Sequence, residues 1–108
     1  MLLTVESFTE EFKQVFQLKG ILDFSTVDHF DFYQNISESV REIEVDFTHL
    51  EFIDSTGIGA ILSILHRAAS LNAKVNFSGM SKDTIDLFET IGVFDIKKSL
   101  LDGNDHHV

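Results

Sequence analysis

A hydroxyl group occupies the predicted junction between a strand and a helix. The segment Phe52–Gly59 reads Phe-Ile-Asp-Ser-Thr-Gly-Ile-Gly; it closes a strand-like run and opens an apolar-periodic helix. Free backbone N–H groups and the helix dipole favour an anion at such a helix start. A phosphate on Ser55 would bring about −1.5 to −2 charges and three acceptor oxygens to one surface point. The segment therefore predicts either a phosphorylation switch at Ser55 or an ordinary helix cap formed by Ser55 or Thr56.

Catalytic interpretations of the same residues fail on spacing. Gly57-Ile58-Gly59 begins like a dinucleotide fingerprint, but the third glycine would fall at position 62, which is leucine. Asp54-Ser55-Thr56-Gly57 has one residue too many before the glycine for an aspartic protease, which would also need a dimer at this chain length. The histidines are predicted to be scattered: His29 and His66 on helix surfaces, His49 in a loop, and His106 and His107 in the tail. We therefore predict no enzyme activity, no cofactor and no metal site.

The composition is that of a small soluble domain. The 108 residues are 44% hydrophobic and include eleven Phe and no Cys, so a single domain over residues 1–108 can bury a core without a disulfide or a thiolate metal site. The net charge of −10 disfavours nucleic acid and anionic membranes as partners. No window approaches the roughly 18 apolar residues that span a bilayer. We predict a cytoplasmic protein with a disordered tail at residues 102–108.

The first half of the chain is ambiguous in one segment. Leu2–Val5 is predicted to be a short strand. Segment 7–18 has helical spacing of its apolar residues and a Ser-x-x-Glu capping pattern, but its end alternates as a strand does. A helix is then predicted to begin at Ser25 or Thr26. Its buried face is formed by Val27, Phe30, Tyr33, Ile36 and Val40, whereas Phe32 points away from it.

The second half alternates strands and helices, which predicts an α/β domain with largely parallel strand pairing. The predicted elements are a strand at Glu42–Thr48, a helix at Thr56–Leu71 with Asn72 as a left-handed C-cap, a strand at Lys74–Ser78, a helix from Ser81 to Gly92, and an extended piece at Val93–Ile96. Predicted inward residues are Ile43, Val45 and Phe47; Ile58, Ile61, Leu62, Leu65 and Ala69; Val75 and Phe77; and Ile85, Phe88 and Ile91.

Two groups of polar side chains are predicted to lie in solvent. One group is on the outer side of the helix at Thr56–Leu71 and consists of Ser63, Arg67 and Ser70. The other group shares one strand face and consists of Glu42, Glu44 and Asp46. We expect these acids to face Lys13 or Lys74 on neighbouring strands rather than to bind a cation.

Three segments in the same order resemble one protein family. Gly20-Ile21-Leu22-Asp23 precedes the Ser55 segment, and Gly79-Met80-Ser81 precedes a last helix that ends in Ile91-Gly92-Val93-Phe94. Together they resemble the bacterial STAS domains that act as anti-sigma factor antagonists, over roughly residues 2–98. The resemblance implies the STAS fold, a small mixed sheet of four to five strands with helices mainly on one face. It also favours a hairpin strand from about Phe12 to Lys19 over the helical interpretation.

The resemblance implies a function as a binding module. The partner would be an anti-sigma factor with serine kinase activity, which binds the unphosphorylated protein and releases it once Ser55 is phosphorylated. A PP2C-type phosphatase would then remove the phosphate, and Thr56 is the alternative acceptor. The protein would be a monomer or a weak dimer. The implied partner-binding residues are Asp23, Phe24, Ser25, Asp54, Thr56, Gly57, Ile58 and Gly59.

Two questions stay open at the level of sequence. In the predicted topology, the loop that holds Asp23 lies at the same end of the sheet as Ser55, so Asp23 either flanks that surface or only caps the following turn. The second question is the role of the domain. STAS domains also serve as scaffolds, ligand sensors or subunits of transport assemblies, in which Ser55 would never be modified.

Overall fold

A four-stranded mixed sheet forms the centre of the computed structural model, which describes residues 3–29 and 35–102. Its strands are β1 (Leu3–Glu10), β2 (Lys13–Leu22), β3 (Glu42–Ile53) and β4 (Lys74–Ser78), in the order β1-β2-β3-β4. The β1–β2 pair is antiparallel, and the other two pairs are parallel. The predicted α/β class, with parallel pairing after a first hairpin, is confirmed.

The helices follow the strands in the predicted alternation. They are α1 (Ser55–Leu71), α2 (Lys82–Ile91) and the short α3 (Val93–Lys97), with a 3-10 turn at Val27–His29 and a π-helical turn at Lys98–Asp102. Asn72 adopts the predicted left-handed cap with φ 57° and ψ 35°. Gly92 ends α2 at φ 90°, and the Ser81 side chain caps its start. No helix within residues 3–29 and 35–102 is long and apolar enough to cross a membrane.

One face of the sheet carries the hydrophobic core. Along β3, Ile43 and Val45 are fully buried, while the alternating acids on the other face are half-exposed, as period-two alternation requires. The inward face packs against the buried side of α1, which is centred on Ile61, Ile64 and Leu65. Helix α2 contributes mainly Phe88, whose ring packs with Phe47, Phe77 and Phe94 at centroid distances of 5.7 to 5.9 Å. The helices therefore lie mainly on one side of the sheet.

The other face of the sheet is covered by paired polar side chains. Lys13 Nζ lies 2.8 Å from Glu44 Oε1, as predicted, and the Ser78 hydroxyl donates to the same carboxylate at 2.9 Å. Lys13 and then Ser78 hold the pKa of Glu44 below its ordinary value. Glu42 accepts from the Asn76 side chain instead of a lysine. The part of this face on β3 and β4 is thus polar and paired, whereas Val15 and Phe8, which lie in register with Glu44, are apolar.

Several element predictions are wrong or incomplete. The hairpin strand predicted from about Phe12 to Lys19 is confirmed as part of β2, which pairs with β1 across a two-residue turn between Glu10 and Lys13. The helical alternative for segment 7–18 is wrong. His49 lies within β3, which continues to Ile53. The piece Val93–Ile96 is helical, because burying Val93 against the core outweighs its β propensity.

The helix predicted after Thr26 is only partly described. A 3-10 turn covers Val27–His29, while Phe30, Phe32 and Tyr33 lie outside the described residues, as do residues 103–108 of the predicted tail. Ile36 and Val40 are buried as predicted but lie in irregular chain. The Ser37 hydroxyl accepts from the Ser39 N–H at 3.2 Å there, a local bond that competes with helical pairing.

The helix faces also differ in detail from prediction. Leu62 and Ala69 are only half-buried, because the buried face of α1 is completed by Ile64 and Ala68. Arg67 is half-buried and donates to the Ile36 carbonyl at 3.4 Å. On α2, Ile85 and Ile91 are more than a third exposed, so only Phe88 of the predicted trio is in the core. The other predicted inward residues, those of β3 and β4 included, pack in or against the core.

Two glycines of the Ser55 segment have opposite surroundings. A Cβ atom at Gly57 would collide with the Leu22 carbonyl oxygen and lie 2.9 Å from Ile53 Cγ1. At Gly59, a Cβ would meet nothing within 4 Å. Gly57 is therefore the point where α1 makes its close approach to the ends of β2 and β3.

We predict that Gly57→Ala and Gly59→Ala change stability in opposite directions. Gly57→Ala should lower the free energy of unfolding by about 1–3 kcal/mol, because the backbone must shift to relieve the collision. Gly59→Ala should raise it by about 0.5–1 kcal/mol through the better helix propensity of alanine. Urea denaturation followed by circular dichroism measures both. Equal effects of the two substitutions would contradict the close approach at Gly57.

Candidate functional site

Two loops meet where β2 and β3 end. Leu22 pairs with Ile53 in register, so the next residues, Asp23 and Asp54, leave the sheet side by side. The Asp54 N–H donates to the Leu22 carbonyl at 3.3 Å, and the Phe24 N–H reaches Asp54 Oδ2 at 3.4 Å. The prediction that both loops share one end of the sheet is confirmed.

Asp54 is the N-cap of α1. Its backbone is extended, with φ −112° and ψ −175°, and its Oδ1 accepts from the Gly57 N–H at 2.9 Å. Its carbonyl accepts the first helical bond, from Ile58 N–H at 3.0 Å. The interpretation of Ser55 or Thr56 as the cap is therefore wrong, because the preceding carboxylate performs that role.

Ser55 is the first residue of α1 and is exposed, as is Thr56. Within residues 3–29 and 35–102, no side chain or backbone group forms a hydrogen bond with the Ser55 hydroxyl. The hydroxyl stands at the helix end where backbone N–H groups favour negative charge. It is thus chemically free for modification, and a phosphate there would be compatible with the helix.

The turn after β2 is held by a compact set of hydrogen bonds. Asp23 Oδ1 accepts from the Ser25 N–H at 2.9 Å and from the Ser25 hydroxyl at 2.6 Å. The Thr26 hydroxyl, which is buried, donates to the Ile21 carbonyl and accepts from the Asp23 N–H. The Ser25 hydroxyl bond is the main reason that the pKa of Asp23 lies below its ordinary value. Asp23 therefore both stabilises its own turn and lies at the Ser55 end.

The predicted site residues separate into surface and interior. Phe24, Ser25 and Gly59 are exposed together with Ser55 and Thr56, and Asp23 and Asp54 are half-buried. The prediction that Gly57 and Ile58 belong to the partner-binding surface is corrected by their burial. Both lie on the inner side of α1, and Ile58 is only 1% exposed. Ile58 falls in the apolar stripe of the helix, so its side chain faces the core instead of a partner.

Sequence reasoning missed Phe52 as a surface residue of this end. Its side chain is 52% exposed although it precedes the buried Ile53 in β3. Period-two alternation from Ile53 could have identified it, since neighbours along a strand face opposite sides. It also missed Thr26, whose buried hydroxyl fixes the turn. Among the described residues, no group of three His, Asp or Glu side chains could hold a metal ion.

A sequence profile of the STAS domain matches residues 3–102, which is nearly the whole chain. The chain belongs to the STAS domain family. In this STAS domain, Ser55 begins the helix that follows the long central strand. No curated protein matches the sequence directly.

Several solved STAS-type structures share the fold at low sequence identity. The phosphorylated form of the Bacillus cell fate determinant SpoIIAA is 22% identical with a TM-score of 0.64, over 86% of both chains. An anti-sigma factor antagonist from Mycobacterium paratuberculosis is 14% identical with a TM-score of 0.74, over 86% of this chain and 80% of that one. A sulfate transporter family protein from Wolinella succinogenes is 14% identical with a TM-score of 0.72, over 87% and 78%. At these identities the likeness establishes the fold alone.

We predict that the Ser25 hydroxyl controls the titration of Asp23. Because the folded-state pKa of Asp23 is lowered, the contribution of its turn to stability is present above the ordinary carboxyl pKa and is lost as the pH falls through the folded value. Ser25→Ala should raise the pKa of Asp23 toward the ordinary 3.8, whereas Ser25→Thr, which keeps a hydroxyl, should not. Carbon-detected NMR titration of the Asp23 carboxyl measures this. An unchanged midpoint in Ser25→Ala would contradict the assigned cause.

Proposed function

We propose that this STAS domain is an anti-sigma factor antagonist switched by phosphorylation of Ser55. The observation that carries the proposal is the exposed Ser55 hydroxyl, which begins α1 without serving as its cap. Because Asp54 completes the helix start, a phosphoryl group on Ser55 costs the fold no existing hydrogen bond to a described residue. The site is thus suited to modification by another protein.

The partners follow from the family resemblance. In the unphosphorylated state the protein binds an anti-sigma factor with serine kinase activity, and a sigma factor is released. That kinase transfers phosphate to Ser55, after which the complex dissociates, and a PP2C-type phosphatase resets the switch. The setting is the bacterial cytoplasm. The net charge of −10 supports a basic protein surface as the partner and disfavours direct contact with nucleic acid.

Release is explained by local charge. A phosphate at the start of α1 is stabilised by the helix end, so the fold need not change. The same phosphate lies next to Asp54 and on the same sheet end as Asp23, which adds like charge to a surface that must lose water on binding. The switch therefore acts on the interface and leaves the fold intact.

The fold does not by itself separate this function from the second candidate, a scaffold, ligand-sensing or transport-assembly role. The sulfate transporter family protein from Wolinella succinogenes shares the fold with a TM-score of 0.72. The exposed serine after a capping aspartate favours the switch, since a passive scaffold has no need of a free hydroxyl there. In either role the domain acts by binding and carries out no reaction of its own.

We predict that phosphorylation is confined to Ser55. Incubation with ATP and a purified anti-sigma factor kinase should add one phosphoryl group to the wild type and to Thr56→Ala. Ser55→Ala should gain none, although its neighbour Thr56 is also exposed. Intact-mass measurement and peptide mapping give the result. Phosphate on Thr56 in the wild type would show that Thr56, and not Ser55, is the acceptor. A wild type with no phosphate on either residue would refute the switch.

We predict that charge, and not bulk, weakens partner binding. Ser55→Asp should raise the Kd for the kinase roughly tenfold or more, which is at least about 1.4 kcal/mol. Ser55→Asn, of nearly equal size and without charge, should bind within about threefold of wild type. The free energy of unfolding of Ser55→Asp should equal that of wild type or exceed it by about 0.3–1 kcal/mol, because the helix start favours the carboxylate. Isothermal titration calorimetry and urea denaturation measure the two effects. Wild-type affinity in Ser55→Asp would refute charge gating.

A further inference from the structure

An aromatic side chain projects from the rigid turn beside Ser55. Phe24 is 74% exposed, the highest value among the large apolar side chains described as exposed. Its backbone is nevertheless fixed, because the Asp23 carbonyl accepts from the Thr26 and Val27 N–H groups at 3.1 and 2.9 Å, and Asp54 accepts from Phe24 itself. The Phe24 ring contributes little to the core, and the hydrogen bonds of the turn fix the backbone that carries it. A preorganised apolar group of this kind loses little entropy when a partner covers it.

A second aromatic side chain is exposed at the same end, in the part of β3 that extends beyond its pairing with β4. The pairing of β3 with β4 ends at Asp46 and Ser78, whereas β3 continues to Ile53 and there pairs only with β2. Phe52 lies in this unaccompanied part, opposite Ile21, and is 52% exposed. It precedes the N-cap Asp54 by two residues. Phe24 therefore lies in the turn after β2, and Phe52 lies near the end of β3, where these two segments meet beside Ser55.

The stretches of sequence that carry these two rings contain acids and no lysine or arginine; the nearest lysine in β2 is Lys19, which lines a depression with Glu51. The sequence has no Lys or Arg between Gly20 and Val40 or between Glu42 and His66, and these stretches include both loops that meet beside Ser55. Its acids are Asp23, Glu51 and Asp54. At the opposite end of β2 and β3, three of the eight basic residues, Lys13, Arg41 and Lys74, line one depression with Phe12. The molecule thus has an acidic aromatic end and a mixed end where basic residues gather.

We propose that Phe24 and Phe52 are the two apolar anchors of the docking surface and that they insert into an apolar pocket with a basic rim on the anti-sigma kinase. This inference rests on the proposed function and names the residues that supply affinity there. Exposed rings that lose water at the centre of an interface dominate binding energy, while the surrounding charges set orientation and association rate. The acids around them match a basic rim and not an acidic or nucleic acid surface. A phosphate on Ser55 then enters the interface between the anchors and that rim.

The chain provides matched controls for this proposal. Phe12 is an exposed turn residue like Phe24, and Phe8 is an exposed strand residue like Phe52, with exposures of 62% and 44%. Both controls lie toward the hairpin end, away from Ser55. All four phenylalanines are outside the buried core, so truncation to alanine should leave the fold intact, which thermal unfolding verifies.

The experiment measures the affinity of each variant for a purified anti-sigma factor kinase. Phe24→Ala and Phe52→Ala should each raise the Kd tenfold or more, whereas Phe8→Ala and Phe12→Ala should stay within about twofold of wild type. The association rate should fall with added salt for wild type and to the same extent for the two anchor variants, since their charges are unchanged. The proposal would be overturned if all four alanine variants lost affinity equally, or if only Phe8→Ala and Phe12→Ala lost affinity.

Failure of the anchors is distinguishable from failure of the switch. If Phe24→Ala and Phe52→Ala bind like wild type while Ser55→Asp does not, the anchors are wrong and the phosphorylation switch stands. If the kinase neither binds nor phosphorylates the wild type, the proposed function itself fails. If both anchor variants lose affinity and Ser55→Asp keeps it, the docking surface is correct and charge gating is not.

Discussion

The Asp54 carboxylate is the group on which the geometry of the Ser55 end depends. One of its oxygens accepts from the Gly57 N–H and completes the start of α1, while the other accepts from the Phe24 N–H across the neighbouring loop. A single side chain thus joins two segments about thirty residues apart in sequence. Since Asp54 supplies the cap, the Ser55 hydroxyl is not consumed by the fold. Asp54 stabilises the start of the helix, and the adjacent Ser55 keeps an exposed hydroxyl.

Close packing beneath the site converts this arrangement into a rigid platform. Gly57 brings α1 against the Leu22 carbonyl and the Ile53 side chain, and the parallel pairing of β2 with β3 sets the loops side by side. The buried Thr26 hydroxyl fixes the next turn. Functional groups held by packed backbone are positioned more accurately than groups on free loops. The two interior residues of the segment, Gly57 and Ile58, therefore act by supporting the surface and not by forming it.

The two faces of the sheet and the two ends of its strands differ in their side chains. The core occupies the helical side of the sheet, and paired side chains such as Lys13 with Glu44 cover the other side. Of the exposed aromatic residues, Phe8 and Phe12 lie toward the hairpin turn, and Phe24 and Phe52 lie toward Ser55. Charge distinguishes these ends, because Lys and Arg are absent from the sequence around Ser55. An electrostatic difference along the strands favours one orientation of approach for a charged partner.

The amino-acid sequence by itself determined those parts whose signal is local. The alternation of β3, the apolar stripe of α1, the bounds of β4, and the caps at Asn72, Ser81 and Gly92 follow from periodicity and from the backbone angles that each residue permits. The position of Ser55 at a strand-to-helix junction was readable for the same reason. The family resemblance, and not local pattern, favoured the hairpin over a helix in segment 7–18.

Tertiary structure decided what depends on neighbours distant in sequence. Segment 7–18 became a hairpin because β1 and β2 pair, and Val93 became helical because the core buries it. Only the meeting of the two loops shows that Asp54 caps α1 and also binds Phe24. In each case the deciding energy comes from long-range pairing or burial, which a local pattern does not contain.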